Sequence, residues 1–306
     1  MDIRLTFKHS LIFISSLIFF LVFSCQLFAE TIEKPFLWKI EGDRATSYLF
    51  GTVHLPDARI STLHESVEQA FSDSEYIYTE IPLETSDMLA QANYLMLEGD
   101  QTLAEIVGSD LLRRADNIVK DINPALTIDP FLKFKVWALA TSLPLLEQQL
   151  DNPGVLPLDA QLYQRAGNEG KGTGGIETIQ EQLSYFENLT QEEELKMLRD
   201  TIEFMEDANN QEQSLAEEFI QYYSQGDVDA FGELMVKYIK EDEFSKDFIK
   251  KILFDRNVIM AERIYKKLQE NPDRSYFFAI GAGHYWGATG VQNLLINNGL
   301  SISRVE

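Results

Sequence analysis

The sequence predicts an α/β fold with a mostly parallel central sheet flanked by helices. Short segments rich in apolar, β-branched and aromatic residues, which are typical of buried strands, lie near both ends of the 306-residue chain. Helix-capping motifs and apolar residues at helical spacing fill the middle. The C-terminal order of strand (276–280), helix (289–297) and strand (301–305) favours a parallel strand pair. We therefore expect one domain, with a mainly helical insertion at about 190–271 between the two groups of strands.

The first predicted elements are a β-hairpin, a helix and a third strand. Segments 36–40 and 47–50 have the apolar and aromatic content of strands and are separated by turn-forming residues. A capping box of the form Thr-x-x-Glu at 62–65 predicts a helix that begins at Thr62. The next apolar segment, 76–79, is a predicted strand that ends in Glu80.

The middle of the chain is predicted to be helical. A second capping box at 102–105 opens a helix towards Ile118, and Asp129 followed by Pro130 opens another that runs past Val136. The remaining predicted elements are a helix at 162–166, a short strand at 173–176, and a helical stretch from Thr190 to Asn271 that breaks at 226–227.

Residues 1–29 have the layout of a secretory signal peptide. Arg4 and Lys8 precede the apolar run 11–23, and small residues follow it. The run is shorter than the roughly 20 apolar residues that a membrane-spanning helix needs. We therefore expect an exported protein that is periplasmic or associated with the cell envelope and whose mature domain covers 30–306.

Cys25, the only cysteine, has two interpretations. The segment Leu-Val-Phe-Ser-Cys at 21–25 resembles a bacterial lipoprotein processing site, at which Cys25 would become the lipidated first residue and anchor the protein to a membrane. Cleavage after Ala29 would instead remove Cys25. In both cases the mature chain forms no internal disulfide, and cysteine ligation of a metal is excluded.

Charge and composition restrict the class of partner. The formal net charge of −23 makes nucleic acid a poor partner, because its phosphate backbone is also anionic. The hydrophobic content of 45% and the aromatic content of 11% are sufficient for a sizeable core.

Two copies of the pattern Gly-x-x-His follow predicted strands at opposite ends of the domain. The first is Gly51 to His54 and the second is Gly281 to His284. Glu80 ends a third predicted strand. Because the carboxyl ends of parallel strands line the ligand crevice of an open α/β sheet, we expect these three side chains to share one site. A strand-end glycine accepts positive φ and admits close approach of another group, and both properties are expected to be useful here.

Two imidazoles and a carboxylate with open positions favour a divalent metal centre. Such a ligand set suits catalytic zinc and also manganese or cobalt, and a metal there would activate water or polarise a carbonyl. Simpler interpretations remain open, because a single His after a strand is usually a structural hydrogen-bonding residue and Glu80 could cap the following helix. Arg256 is either a surface residue or a guanidinium that holds an anion. His64 is interpreted as solvated, and Asp159, Glu84 and Glu177 have no assigned role.

The motifs together resemble the TraB/GumN family, which includes the Tiki-type metalloproteases. The matching segments follow in order along the mature chain and are Leu-Trp-Lys-Ile at 37–40, Tyr-Leu-Phe-Gly-Thr-Val-His at 48–54, Thr-Glu at 79–80, Gly-Ile-Glu-Thr-Ile-Gln-Glu-Gln at 175–182, Asp-Arg-Asn at 255–257 and Ala-Ile-Gly-Ala-Gly-His at 279–284. The resemblance implies a fold related to erythromycin esterase and ChaN-like proteins. It also implies a metal-dependent hydrolytic centre formed by His54, Glu80 and His284, with Arg256 as companion.

The resulting hypothesis is an exported metal-dependent hydrolase that acts on a peptide or amide bond. Water activated by the metal would be the nucleophile, Glu80 a ligand or the general base, and Arg256 a stabiliser of developing negative charge. The alternative is a non-catalytic protein that uses the same cleft to bind a peptide, haem or a metal. A third hypothesis, suggested by the acidic helical insertion, is that the protein is a scaffold for a surface or conjugation system.

Overall fold

A computed structural model describes residues 32–42, 44–84, 92–210, 215–237 and 239–305. The predicted leader with Cys25 lies outside these ranges. The described residues form a six-stranded mixed sheet with helices packed around it, so the predicted α/β class is confirmed. The strands are β1 (Leu37–Glu41), β2 (Ser47–Thr52), β3 (Tyr76–Thr79), β4 (Gly172–Gly175), β5 (Tyr276–Gly281) and β6 (Ser301–Arg304).

The sheet has the strand order β4-β3-β5-β2-β1-β6. Strands β4, β3, β5 and β2 run parallel, whereas β1 is antiparallel to both β2 and β6. The description as mostly parallel is therefore only roughly right. The predicted hairpin is present as β1 and β2, in the register Leu37 opposite Phe50.

The predicted parallel pairing of the two C-terminal strands is wrong. Strand β6 pairs antiparallel with β1, in the register Glu41 opposite Ser301, and two strands separate it from β5. The reason is that both edges of β5 are occupied, one by β3 and the other by β2, where Phe50 lies opposite Ala279. The hairpin thus extends the sheet, and the chain after β5 reaches its far edge.

Helices make up most of the remaining described chain. In order, they are α1 (Glu65–Asp73), α2 (Leu103–Val107), α3 (Ser109–Ile122), α4 (Val136–Asp151), α5 (Leu158–Asn168), α6 (Ile179–Glu187), α7 (Gln191–Asn210), α8 (Leu215–Gln225), α9 (Val228–Lys237), α10 (Glu243–Ile249), α11 (Arg256–Glu270) and α12 (Val291–Asn297). Within the described ranges, none of these helices combines the length and the apolar character needed to cross a membrane. The predicted break at 226–227 separates α8 from α9, where Gly226 has a φ of 68°.

Helix α1 begins later than its sequence predicts. It starts at Glu65, not at Thr62, because His64 is extended and acts as the N-cap. The His64 Nδ1 atom accepts a hydrogen bond from the Ser66 N–H at 3.2 Å, which satisfies one of the donors left free at a helix start. His64 therefore has a local structural role in addition to its contact with solvent.

Two further helix boundaries also differ from the prediction. The capping box at Thr102 is present, but its helix ends at Val107 because Gly108 adopts a φ of 77°, and a second helix follows. Asp129 and Pro130 begin only one 3-10 turn. The long helix α4 begins at Val136 after the extended Lys135.

Separate apolar cores stabilise the sheet and the helices next to it. The sheet core includes the whole of β5, whose Phe277 and Phe278 are fully buried. A second cluster joins α2, α3, α4 and α7 through residues such as Leu143 and Ile202, which are also fully buried. The strands that lead to the carboxyl edge of the sheet thus come from a well-packed core, which helps to position a site.

Candidate functional site

Three neighbouring parallel strands deliver the candidate ligands to one edge of the sheet. Strands β3, β5 and β2 lie side by side and end in the same direction. Glu80 follows β3 directly, His54 lies two residues beyond β2, and His284 lies in the 3-10 turn after β5. The structure therefore brings these three residues together, as expected for the carboxyl edge of a parallel sheet.

The Glu80 Oε1 atom lies between the two imidazoles. It is 3.7 Å from His54 Nε2 and 3.6 Å from His284 Nε2. The Gly281 N–H donates a hydrogen bond to the same oxygen at 2.7 Å. A Cβ placed on Gly281 would lie 2.9 Å from Glu80 Oε1, 3.4 Å from His54 Nε2 and 3.5 Å from His284 Cδ2. The three side chains thus face a small space that exists because residue 281 has no side chain.

The glycines of both motifs serve close approach, and the expected positive φ is wrong. Gly281 has a φ of −51°, and Gly51 and Gly283 are not in the left-handed region either. A Cβ on Gly51 would lie 2.6 Å from Phe36 Cβ, and one on Gly283 would lie 2.2 Å from Met235 Sδ. Packing against Phe36 therefore requires Gly51, a side chain at 283 would displace the end of Met235, and Gly281 borders the candidate site itself.

The donor set fits a divalent metal after a small contraction. In the part of the chain described, no group of three or more His, Cys, Asp or Glu side chains is preassembled as a metal cage. Two ligands that each bind zinc at about 2 Å in tetrahedral geometry are about 3.3 Å apart. The His54–Glu80 and His284–Glu80 separations exceed this value by only a few tenths of an ångström.

His284 is buried and held as a neutral imidazole. Its Nδ1 atom lies 2.5 Å from Asn257 Oδ1, and the Asn257 Nδ2 donates to the Thr289 carbonyl at 2.9 Å. Because that carbonyl can only accept, the Asn257 oxygen must face His284, and Nδ1 carries the proton. Burial lowers the pKa of His284 to about 4, although the charge of Glu80 opposes the shift. Its Nε2 therefore keeps a lone pair directed at the site.

His54 has a different environment. Its side chain is 52% exposed, and its Nδ1 atom lies 3.2 Å from Asp159 Oδ2. The negative charge of Asp159 raises the pKa of His54 well above its usual value of 6.5, against the effect of desolvation. In the metal-free protein His54 is therefore a cation at neutral pH. A metal that binds its Nε2 has to displace a proton.

The buried guanidinium of Arg256 anchors the Glu80 carboxylate. The Arg256 Nη2 donates to Glu80 Oε2 at 2.5 Å and to Glu177 Oε2 at 2.6 Å, while Nε donates to Glu177 at 3.0 Å. The Gln182 amide adds a second bond to Glu80 Oε2 at 2.9 Å. Burial alone would raise the pKa of Glu80, but Arg256 and the imidazoles hold it well below its usual range. Glu80 is therefore a fixed carboxylate whose Oε1 faces the site.

The charge balance of the buried cluster favours a divalent cation. The carboxyls of Glu80, Glu177 and Asp159 are all 14% exposed or less, and Arg256 is the guanidinium that faces the first two. When both imidazoles are neutral, the carboxylates exceed the guanidinium by two negative charges. Buried charges are costly unless they are compensated, so a doubly positive ion suits this cluster.

Sequence reasoning named four residues of this cluster and missed four others. His54, Glu80, His284 and Arg256 lie together. The missed residues are Asp159, Glu177, Gln182 and Asn257. Of these, Glu177, Gln182 and Asn257 lie inside the family motifs, which was a usable signal, whereas an isolated acid in a helix such as Asp159 carries none. The third unassigned acid, Glu84, hydrogen-bonds the Tyr163 hydroxyl.

Known proteins are similar to this sequence over most of its length. Metalloprotease TIKI2 of Xenopus tropicalis is 28% identical over 311 residues, which cover 88% of this chain and 59% of the relative. Metalloprotease TIKI1 of Homo sapiens is 25% identical, with coverage of 91% and 64%. An uncharacterized protein of Treponema pallidum is 21% identical, with coverage of 86% and 80%. The chain thus spans about three fifths of the length of the TIKI relatives, and no solved structure matches it.

The family assignment comes from a match that includes all the clustered residues. The sequence model of the TraB/PrgY/gumN family matches residues 36–304, a range that contains both Gly-x-x-His motifs, Glu80 and Arg256. The resemblance drawn from those motifs is therefore confirmed. With the match extending over nearly the whole described chain, this protein belongs to the TraB/PrgY/gumN family.

Proposed function

We propose that this protein is a metal-dependent hydrolase that cleaves a peptide or amide bond, with His54, Glu80 and His284 as metal ligands. The observation that carries the proposal is the position of Glu80 Oε1, 3.6 to 3.7 Å from both imidazole Nε2 atoms at the edge of Gly281. The TIKI relatives are named metalloproteases, which supports a peptide or protein substrate.

Each ligand has a defined task in this proposal. A divalent manganese, cobalt or zinc ion held there would supply Lewis acidity towards water and towards the scissile carbonyl. His284 presents Nε2 as a neutral donor because Asn257 holds its Nδ1–H. Glu80 Oε1 is placed either to bind the ion or to accept a proton from the attacking water, and its anionic form is maintained by Arg256.

Arg256 acts on the reaction through Glu80 in this proposal. Its Nε and Nη2 donate to Glu177 and Glu80, and its Nη1 donates to the Ile252 carbonyl at 3.1 Å. These bonds occupy every nitrogen of the guanidinium. We therefore assign Arg256 to fixing the carboxylate plane of Glu80, which lowers the cost of reorganisation when negative charge develops nearby.

A non-catalytic binding protein is the second candidate. One observation favours it: the Glu80 carboxylate already accepts hydrogen bonds from Arg256, Gln182 and the Gly281 N–H. Such a protein would bind a peptide, haem or a metal in the same cleft. Metal affinity without turnover on a broad peptide library would support this candidate over the hydrolase.

We also infer that the protein is exported to the periplasm or cell envelope, on the basis of the basic, apolar and small-residue order of residues 1–29. Mass spectrometry of the N-terminus tests this inference. A start at Cys25 with added lipid mass supports a membrane anchor, and a start near Glu30 supports release without one. An intact Met1 in exported material would contradict both.

Metal analysis of the purified protein tests the ligand set. We expect about one divalent ion per chain in the wild type, and little in His54→Ala or His284→Ala. The matched control is His64→Ala, since His64 caps α1 and contacts Ser66 instead of the candidate site. Equal metal loss in His64→Ala and His54→Ala would show that the proposed ligands are wrong.

A further inference from the structure

We propose that Asp159 is a positioning residue that fixes the orientation of the His54 ring and accepts its Nδ1–H when Nε2 binds the metal. The inference rests on the proposed function, because it concerns the same centre. It assigns a role to a residue outside the His and Glu ligand set. The geometry that carries it is the 3.2 Å contact between Asp159 Oδ2 and the outer nitrogen of His54.

His54 needs an external restraint more than His284 does. It lies in the segment 53–57, which has no regular secondary structure, and about half of its side chain is exposed. His284, in contrast, is 7% exposed inside a 3-10 turn that packs on the sheet. The recorded polar contacts of the His54 ring are Glu80 on Nε2 and Asp159 on Nδ1. Of these two residues, only Asp159 lies outside the proposed ligand set.

Apart from its contact with His54, the Asp159 carboxylate has little role in stabilising the fold. It is the second residue of α5, and its side chain is 14% exposed. Its Oδ1 atom is buried and has no hydrogen-bond partner among the residues described. Buried carboxylates are normally held by several donors, because desolvation without them is costly. The location of Asp159 therefore lacks a full structural explanation, and its contact with His54 supplies one.

A favourable interaction with the helix dipole is the simpler explanation for an acid at this position. That interaction does not require burial. Asp229 is likewise the second residue of its helix, α9, and it remains exposed. The difference between the two residues is that Asp159 is turned inward to His54. The dipole alone therefore does not account for Asp159.

The chemistry of the contact suits a metal ligand. A carboxylate that accepts the Nδ1–H of an imidazole keeps the lone pair on Nε2 and makes that nitrogen a stronger electron-pair donor to a metal. Asn257 makes the equivalent contact with His284 through a neutral oxygen. The centre thus pairs its exposed imidazole with an anion and its buried imidazole with an amide. This arrangement avoids placing a further charge beside the buried ring.

Zinc binding to Asp159→Ala and Asp159→Asn tests the role of Asp159. We measure Zn²⁺ affinity by competition with a chromophoric chelator at a pH where the affinity of each protein no longer changes with pH, and we identify the protonated nitrogen of His54 in the zinc-loaded protein by ¹⁵N NMR. Loss of such a partner typically weakens metal affinity about 10- to 100-fold. We expect this loss for Asp159→Ala and a smaller one for Asp159→Asn, whose amide oxygen can still accept from Nδ1–H. The wild type should carry the His54 proton on Nδ1.

The controls separate this inference from the function on which it rests. Asp229→Ala removes an acid from the same helical position and should leave zinc affinity unchanged. Wild-type affinity in Asp159→Ala, together with a large loss in His54→Ala, would overturn the role of Asp159 and leave the metal centre intact. Wild-type affinity in both would overturn the proposed function. If Asp159→Ala does not fold, Asp159→Asn decides: a loss of about threefold or more supports the role, and an unchanged affinity overturns it.

Discussion

Glu80 Oε2 lies 2.5 Å from Arg256 Nη2, and both side chains are less than a tenth exposed. Arg256 is the first residue of α11 and follows the π-helical segment Lys250–Asp255. The position of the carboxylate after β3 therefore depends on how the chain enters a helix that is distant in sequence. π-Helical segments of this kind are frequent at functional sites.

The Arg256→Met variant should strongly destabilise the protein. The substitution keeps an apolar stem of similar reach but leaves Glu80 and Glu177 as buried carboxylates without their cation. Breaking a buried ion pair in this way typically costs about 3–5 kcal/mol. We expect a loss of this size in the free energy of unfolding, measured by urea denaturation.

Arg263→Met is the matched control for that variant. Arg263 lies on the same helix and pairs with Glu181, but its side chain is 38% exposed. Exposed pairs contribute about 0–1 kcal/mol, so the loss should be small. Equal destabilisation by the two substitutions would show that the buried Glu80–Arg256 pair contributes no more to stability than the exposed pair does.

Gly281→Ala should block the metal site and displace the Glu80 carboxylate. The φ of −51° suits alanine, but the new Cβ would lie 2.9 Å from Glu80 Oε1 and would fill the space between the imidazoles. We expect Zn²⁺ affinity to fall at least about tenfold, a change comparable with the loss of an outer partner of a ligand. Gly167→Ala is the control, since a Cβ there meets no atom within 4 Å. Similar zinc affinities in these two variants would show that Gly281 does not border the metal site.

The fold class could be predicted from the sequence because burial patterns are local. Strands β2, β3 and β5 are short apolar segments, and Gly-x-x-His or Glu80 marks the end of each. The pairing of β6 could not be predicted in the same way. It depends on which sheet edge is free, and β2 had already taken the edge of β5. Local patterns do not encode that competition.

The site residues that follow strands could be predicted from the sequence, and Arg256 was named with a surface position left open as the alternative. His54 and His284 are marked by their motifs, and both lie at the predicted edge of the sheet. Asp159 comes from a helix whose sequence places it in an ordinary first turn. Its contact with His54 depends on how α5 packs beside β3 and β4, a tertiary relationship with no sequence periodicity.

Metal binding should release about one proton per ion near neutral pH. The pKa of His54 is raised above 6.5, so this imidazole must lose a proton to bind, whereas His284, with a pKa of about 4, is already neutral. Affinity should therefore rise with pH until the raised pKa of His54 is passed and then level off. Calorimetry in buffers of different ionisation enthalpy measures the released protons. Release of none at pH 7 would contradict the protonated state of His54.

Asp159→Asn provides a control for that titration. The charge of Asp159 is the largest cause of the raised His54 pKa, so its removal should bring that pKa down and reduce proton release near neutral pH. The His284 contribution should not change, because burial sets its pKa. An unchanged proton release in Asp159→Asn would assign the released proton to another group.

Glu80→Gln should abolish most turnover and weaken metal binding. The substitution keeps the size of the side chain but removes the charge that binds a cation or accepts a proton, and loss of general-base action alone typically costs about 10²- to 10⁴-fold in rate. Cleavage of unstructured peptides is compared at equal Mn²⁺, Co²⁺ or Zn²⁺ loading. Retained metal with lost turnover would identify Glu80 as the base, and lost metal would identify it as a ligand. Glu84→Gln is the control, because Glu84 accepts a hydrogen bond from the Tyr163 hydroxyl and is not a proposed ligand or base. Equal rates for wild type and Glu80→Gln would place the catalytic centre elsewhere.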